Sequence, residues 1–457
     1  MEILKNVRGR KGPGKPTLRK IVAYSGLTVL VWALVCLFFP GLLINPYLES
    51  RIMREFNKTY PGYPVRIAGL RYSVWENRVD CDSASVFSPD SAQVFGMGRV
   101  SVKGVGRMSL LLGGGLDPAG FADASLDAKD VVLHIMGSHH ELRFLEVRVS
   151  VPDSSLVIDS LEYRPPAGDK KFFAESGFRR TRYRLSIPRS GVTGLDAAGM
   201  IGGQGYRARA ASVDGPTLSV LVDKDRPVND GAPVPRLPDE ILSSIGSPFR
   251  IDSLRVTNGS LVYEEKYDAA TPPASLWCDS IQVEAAGMGN AAGGGDSAVV
   301  RARGILMGTG DAIVGMSLQL ASAGLSFRYF GHLGRMDLDD FNPFVKYSEH
   351  LRFDTGILHG TDFDITVTDG RASGVVRVVY EDLKIVEIDN LTGSGGGVGN
   401  RLVSFLANNI KLRTTNIPDE TGSMKIGEVR CDRKSDETFL EFAWLALRSG
   451  ISDIVGF

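Results

Sequence analysis

From Val65 to about residue 390 the chain alternates apolar and polar residues with a period of two. Val65 and Ile67 flank Arg66. Val147, Val149 and Val151 alternate with Arg148 and Ser150. Tyr183, Leu185 and Ile187 alternate with Arg182, Arg184 and Ser186, and Met316, Leu318 and Leu320 with Ser317 and Gln319. Phe363, Ile365 and Val367 alternate with Asp364 and Thr366. Because successive side chains of a strand point to opposite faces, such runs predict strands with one apolar and one wet face. More than a dozen of them are separated by Gly, Pro, Asn and Asp clusters, so the chain is expected to be mainly β.

Before Val65 the pattern is different. Leu48, Ile52 and Phe56 recur at helical spacing, with Glu49, Arg51, Arg54, Glu55 and Lys58 between them, and Tyr60-Pro61-Gly62 ends the run. This predicts an amphipathic helix over 45–62, lying on a membrane surface, plugging the first strands or packing as a stalk on the following domain. Upstream, Ile21–Ile44 carries no charge over twenty-four residues. A helix of that length reaches ~36 Å, enough for a hydrocarbon core of roughly 30 Å. Seven basic residues (Lys5, Arg8, Arg10, Lys11, Lys15, Arg19 and Lys20) precede it against one acid, Glu2. That bias predicts a cytoplasmic tail over 1–20, a single-pass anchor over 21–44 and the bulk of the chain on the far side. A cleavable signal would have a shorter apolar region and a small-x-small site, and Phe39-Pro40-Gly41-Leu42-Leu43-Ile44-Asn45-Pro46 offers none. Pro40 and Pro46 are expected to kink or end the helix.

The Pro-rich stretch 216–238 divides the strand region into sections 63–230 and 231–392. The Gly-rich stretches Gly287–Gly295 and Gly393–Gly399 read as loops. Helical spacing returns in a mixed cap over 393–457, at Leu402, Phe405, Leu406 and Asn409 and again at Phe439, Phe442, Ala443, Leu447 and Ile451. A faint repeat is also present: Ile158-Asp159-Ser160-Leu161 returns as Ile251-Asp252-Ser253-Leu254, with relaxed copies at Cys278-Asp279-Ser280-Ile281 and Cys81-Asp82-Ser83-Ala84.

Charge is balanced, 52 Lys and Arg against 53 Asp and Glu, so nothing calls for a nucleic-acid partner. Of four cysteines, Cys36 lies in the anchor; one pair among Cys81, Cys278 and Cys431 is conceivable, and buried thiols are the simpler reading. Gly393-Ser394-Gly395-Gly396-Gly397-Val398-Gly399 lacks the Lys-Ser/Thr that a phosphate-cradling loop needs, which argues against a nucleotide. The adjacent His139-His140 would point to opposite faces of a strand and reads as a solvated turn; with no ligand spacing around it, no metal site is expected. No catalytic constellation and no cofactor is expected.

Three phrases resemble a known family. The order of anchor, amphipathic helix and Tyr63-Pro64-Val65-Arg66-Ile67-Ala68-Gly69-Leu70 is similar to the start of AsmA-like proteins. Phe249 to Tyr263, with Asn258-Gly259 expected to form a tight turn between two strands, is similar to an internal phrase of theirs. Gly374 to Lys384 and the terminal Arg430, Phe439, Phe442, Trp444, Gly450 and Ile451 resemble a related branch known mainly as a domain of unknown function. The resemblance implies an extended, curled, antiparallel-rich sheet (a β-groove) with an N-terminal transmembrane helix and short C-terminal helices. It implies a periplasmic body on the inner membrane, and a role in phospholipid transport or outer-membrane assembly. Membrane phospholipids and outer-membrane assembly proteins are the implied partners. A scaffold or chaperone that pairs client strands at a sheet edge is the alternative. The expected lining of the groove is Val65, Ile67, Phe363, Ile365, Val367, Val376, Val378 and Tyr380, residues that would equally serve as a core under a helix or second sheet.

Overall fold

The computed structural model describes residues 40–90, 92–106, 118–135, 139–229, 231, 234–290, 297–320, 326–388, 412–434 and 437–456. The expected anchor 21–44 therefore lies almost wholly outside the described residues, as do the tail 1–20, the Gly393–Gly399 stretch and the helical pattern at Leu402–Asn409. Among the described residues no helix is long and apolar enough to cross a membrane.

The protein is mainly β, built on one mixed sheet of twenty-one strands with a few mostly short helices. After helix α1 (Pro40–Thr59) come β1 (Val65–Ala68), β2 (Arg71–Ser73), β3 (Arg78–Cys81), β4 (Ser83–Phe87), β5 (Gln93–Met97) and β6 (Val100–Lys103). Longer strands follow: β7 (Ser125–Ile135), β8 (His140–Ser150), β9 (Ser155–Arg164), helix α2 (Asp169–Ala174), β10 (Thr181–Thr193), helix α3 (Ala197–Ile201), β11 (Tyr206–Asp214) and β12 (Thr217–Asp223). Helix α4 (Pro238–Ser243) leads to β13 (Phe249–Lys266), β14 (Ala274–Gly289), β15 (Ser297–Leu306), β16 (Gly310–Gln319), β17 (Phe327–Leu333) and β18 (Met336–Asp337). Helix α5 (Asn342–Ser348), β19 (Leu351–Thr368), β20 (Arg371–Glu387), β21 (Gly427–Asp432) and helix α6 (Phe439–Val455) complete the order.

All but two of the pairings among the described residues are antiparallel, most of them between sequence neighbours. The exception is β13, which pairs parallel with β11 and β12 in one shared register, Tyr206 opposite Phe249 and Thr217 opposite Ser260. The Pro-rich connection thus supplies the crossover that a parallel pair needs. The Asn258-Gly259 turn expected from the sequence is not a turn: β13 runs through it unbroken, with Asn258 at φ +54°. A single left-handed residue bulges a strand without reversing it. Similarly, Gly287 and Gly289 belong to β14 rather than to a loop.

Asn258 is one member of a line. Asp130, Ser160, Gly215, Asn258 and Ser280 all have positive φ, between +52° and +61°. The registers place them side by side: Ser160 lies opposite Pro188, Gly215 lies between the β11 and β12 pairings with β10, and Ser280 sits across from Gly259 and Ser260. A transverse row of bulges therefore crosses β7 to β14. Two copies of the Asp-Ser repeat, at Ser160 and Ser280, supply members of it. Ser253 and Ser83 do not.

Three apolar clusters hold the described fold. The largest packs α6 over β17, β19, β20 and β21, around Phe327, Tyr329, Ile365, Val376, Val429, Phe442, Ala446 and Ile454. The second joins Cys81, Val100, Ala128 and Val131, and the third sets Leu48 of α1 against Leu70 and Tyr72. Asn45 of the same helix accepts the Tyr72 amide at 2.9 Å. Helix α1 runs through Pro46 instead of ending there, and of the three apolar residues expected on one face only Leu48 is sealed; Ile52 is 39% exposed.

Candidate functional site: an apolar face across the sheet

Residues directly opposite in a ladder share a face, so the registers trace which side chains line up across the sheet. One row starts at Tyr72 and passes through Val79, Val102, Leu126, Val149, Leu156, Val192 and Ala211. It continues through Leu254, Ala285, Val300, Met316, Tyr329, Ile365, Gly374 and Val429. No polar side chain interrupts it from the second strand to the last. A parallel row runs Cys81, Val100, Ala128, Val147, Ile158, Ser190, Val213, Val256, Val283, Ala302, Val314, Gly331, Phe363 and Val376, with Ser190 as its one hydroxyl. At a strand spacing of ~4.8 Å, such a row spans roughly 70 Å.

A third row lies beyond the line of bulges: Phe95, Leu133, Leu142, Tyr163, Leu185, Leu218, Leu261, Cys278 and Leu306. Leu306 stands four residues after Ala302 in unbroken alternation on β15, which puts this row on the same face as the second. On β7, β9, β13 and β14 the two rows are separated by odd spacings, five residues from Ile158 to Tyr163 and five from Val256 to Leu261. Strict alternation would turn one of each pair away. The left-handed residue between them resets the pleat, and Ala128, Val131, Phe144 and Val147 accordingly pack in one cluster across Asp130. The bulges keep the apolar side chains together.

The opposite face is charged. Arg255 lies opposite Glu284 and bonds it at 3.2 Å, Arg328 chelates Asp364, and Arg148 bonds Asp159. These pairs are solvent-exposed, and such pairs contribute at most ~1 kcal/mol each. The Asp364 carboxyl is held below the usual carboxylate range, first by its hydrogen bond from Arg328.

What covers the apolar face changes along it. The expected lining residues Phe363, Ile365, Val367, Val376, Val378 and Tyr380 do stand on this face, but α6 and its surroundings cover them: Ile365 and Val376 are 0% exposed. Ile67 packs against the second and third clusters, and Val65 is half-buried on β1 beside it. By contrast Val149, Leu156, Ile158, Val192, Val213, Leu254, Val256, Val283 and Val300 are only partly buried and belong to none of the three clusters of the described residues. These middle residues are the ones sequence reading missed as lining. Their alternation was visible, yet only the strand pairings show that they share one face.

Polar groups gather where the covered end begins. Buried Glu265 accepts from the Tyr263 hydroxyl at 2.6 Å and from Tyr267, and pairs with Lys224 at 2.5 Å. Burial pushes both phenols far up, with Glu265 adding to it. Glu349, just after α5, lies 3.8 Å from Arg448 of α6; its second oxygen is buried with no hydrogen-bond partner among the described residues. Burial raises its carboxyl above the ordinary value, and Arg448 offsets only part of this.

His140, expected in a solvated turn, is buried: it stacks on Tyr163 and meets Phe172 of α2 edge-on, while accepting the Tyr183 amide. The reason is that β8 begins at His140, so only His139, at φ +55°, occupies the turn. Cys81, Cys278 and Cys431 are free thiols. No family model and no curated protein matches the chain.

Proposed function

We propose that this chain is a non-enzymatic, membrane-anchored protein whose sheet curls into a groove that shelters lipid acyl chains and contributes to phospholipid transport or outer-membrane assembly. In this reading 21–44 holds it in the inner membrane and the sheet stands in the periplasm. The single observation that carries the reading is the unbroken apolar row from Tyr72 to Val429, uncovered by the described protein over its middle strands. A leucine or valine side chain left in water forgoes ~1.5–3 kcal/mol of burial. Repeating that at strand after strand, along one face and in register, makes physical sense when something apolar fills the face. Acyl chains fit: they need no directional partner, and they tolerate a track that is uniform along its length. The likeness to AsmA-like proteins supports the same reading, as does the basic segment before the apolar one.

The test is site-specific photocrosslinking in the full chain, in native membranes. A photoreactive residue at Leu254 or Val192, on the apolar face, should capture phospholipid; one at Arg255, on the charged face, should not. Equal labelling of the two faces, or none at Leu254 and Val192, would overturn the reading. Capture of a protein strand in place of lipid would point to a scaffold for envelope proteins.

A further inference from the structure

The apolar track does not end flush against α6. Two residues beyond Val376 on β20, Val378 and then Tyr380 continue on the same face, and there a cavity of about 180 Å³ opens between the sheet, α5 and α6. Its walls include Val345 of α5, Leu351 and Leu358 of β19, Val378, and Ile451 and Val455 of α6. The surface they present is apolar throughout, and among the described residues Glu349 is the one charged residue at its edge. A cavity of about 150 Å³ lined by aliphatic groups stays dry and takes a six-carbon hydrocarbon. This one is slightly larger, lies on the face already traced, and offers a polar headgroup nothing to bond.

We propose that this cavity is a terminal binding site for the methyl end of an acyl chain, about six to eight carbons of it, inserted beneath α5 and α6 with the headgroup pointing back along the track. The inference rests on the groove reading for its ligand. Orientation follows from Glu349: one oxygen of its carboxyl is already buried and unpartnered, so a phosphate or carboxylate brought beside it would add like charge in a poorly solvated place. A methyl terminus adds none. The site would make the covered end a stop, where a chain is held by its tail rather than its headgroup.

The experiment uses the full chain in lipid nanodiscs with two phosphatidylcholines, one carrying a diazirine at the terminal carbon of an acyl chain and the other carrying it on the headgroup. The terminal probe should label peptides containing Val345, Val378 and Ile451. The headgroup probe should label them at least tenfold less. Ile451→Phe, which fills the cavity, should cut terminal labelling at least fivefold while labelling near Leu254 persists. Because Ile451→Phe could loosen the helix, a second measurement accompanies it. Saturating n-hexane should raise the thermal midpoint of the wild type and leave that of Ile451→Phe or Leu351→Phe unchanged. Labelling near Leu254 without labelling in the cavity, equal labelling by the two probes, or no hexane shift would each sink the terminal site while leaving the groove standing. Labelling in neither place removes both.

Discussion

The same two rows of side chains behave oppositely at two places in the molecule. At β19 and β20 they disappear under α6, where Ile365, Val376 and Phe442 have no exposure. At β9 to β13 the rows carry Leu156, Val192, Leu254 and Val256, equally apolar, yet no described element seals them. The pattern of the sequence is identical in both, so it specifies which face is apolar and says nothing of what covers it. In the proposed reading this distinction matters most: a covered row is a core, and an uncovered one is a surface for an occupant.

Large-to-small substitutions should separate the two regions most sharply. Phe442→Ala removes a ring sealed between α6 and the sheet, and sites of that kind cost ~3–5 kcal/mol. Leu254→Ala removes a side chain that lipid-free protein leaves only partly buried. Urea unfolding of the lipid-stripped protein should show a loss for it of no more than about 1 kcal/mol, in keeping with partial burial. Comparable losses at the two positions would mean that the middle of the face is a closed core as well, and the groove reading would fail.

A second handle is the close approach of α6 to β21. A Cβ on Gly427 would come within 2.0 Å of the Gly450 carbonyl oxygen, and one on Gly450 within 2.6 Å of Val376. Gly427→Ala should therefore push the helix outward at a cost of ~1–3 kcal/mol, with faster hydrogen exchange confined to α6 and β21. Exchange that rises equally in β9 to β13 would show that the covered and uncovered regions open as one unit.

Much of the architecture was legible from residues alone. Alternation at Phe363, Ile365 and Val367 identified strands, and the spacing of Phe439, Phe442, Ala443, Leu447 and Ile451 identified α6. What the sequence hid was the line of bulges. Asn258-Gly259 has the residue types of a reverse turn because both need positive φ, and only the long-range pairing of β13 with β11, β12 and β14 selects a bulge. The middle residues were passed over because only the long-range pairing of β9 to β15 shows that their apolar faces join into one. Whether Ile365 and Val376 line an open face or a core was left open, because nothing local to them records that α6 returns from the far end of the chain. Both of these are questions of tertiary placement.

The bulge line itself gives a smaller effect. Asn258→Val forces a β-branched residue into left-handed backbone and should cost ~1–2 kcal/mol, whereas Asn258→Gly should be tolerated. Circular dichroism melts of the pair would show it. Were the valine variant as stable as the glycine one, the face would be held together by something other than these bulges.

The smallest expected effect concerns pH and acts at the covered end alone. The Glu349 carboxyl sits above its ordinary value of 4.5 because burial penalises its charged form. Between the unfolded value and the raised folded one, the native protein therefore holds more protons than the unfolded chain. Stability must then fall as pH rises through that window and level off above the folded value, the reverse of a salt-bridged carboxylate. Glu349→Gln cannot titrate and should lose this slope. The side chain is not sealed and Arg448 lies 3.8 Å away, so the change should be modest, within about 1 kcal/mol. Hydrogen exchange in α6, measured from pH 5 upward, should speed in the wild type beyond its intrinsic pH dependence and follow only that dependence in Glu349→Gln. Around Leu156, Val192 and Leu254 the neighbouring charges, such as Arg148 and Arg255, stand on the opposite, solvated face, so exchange at those positions should show no such difference between the two proteins. A Glu349-dependent change there would tie the open rows to the helix-covered end and remove the contrast between them.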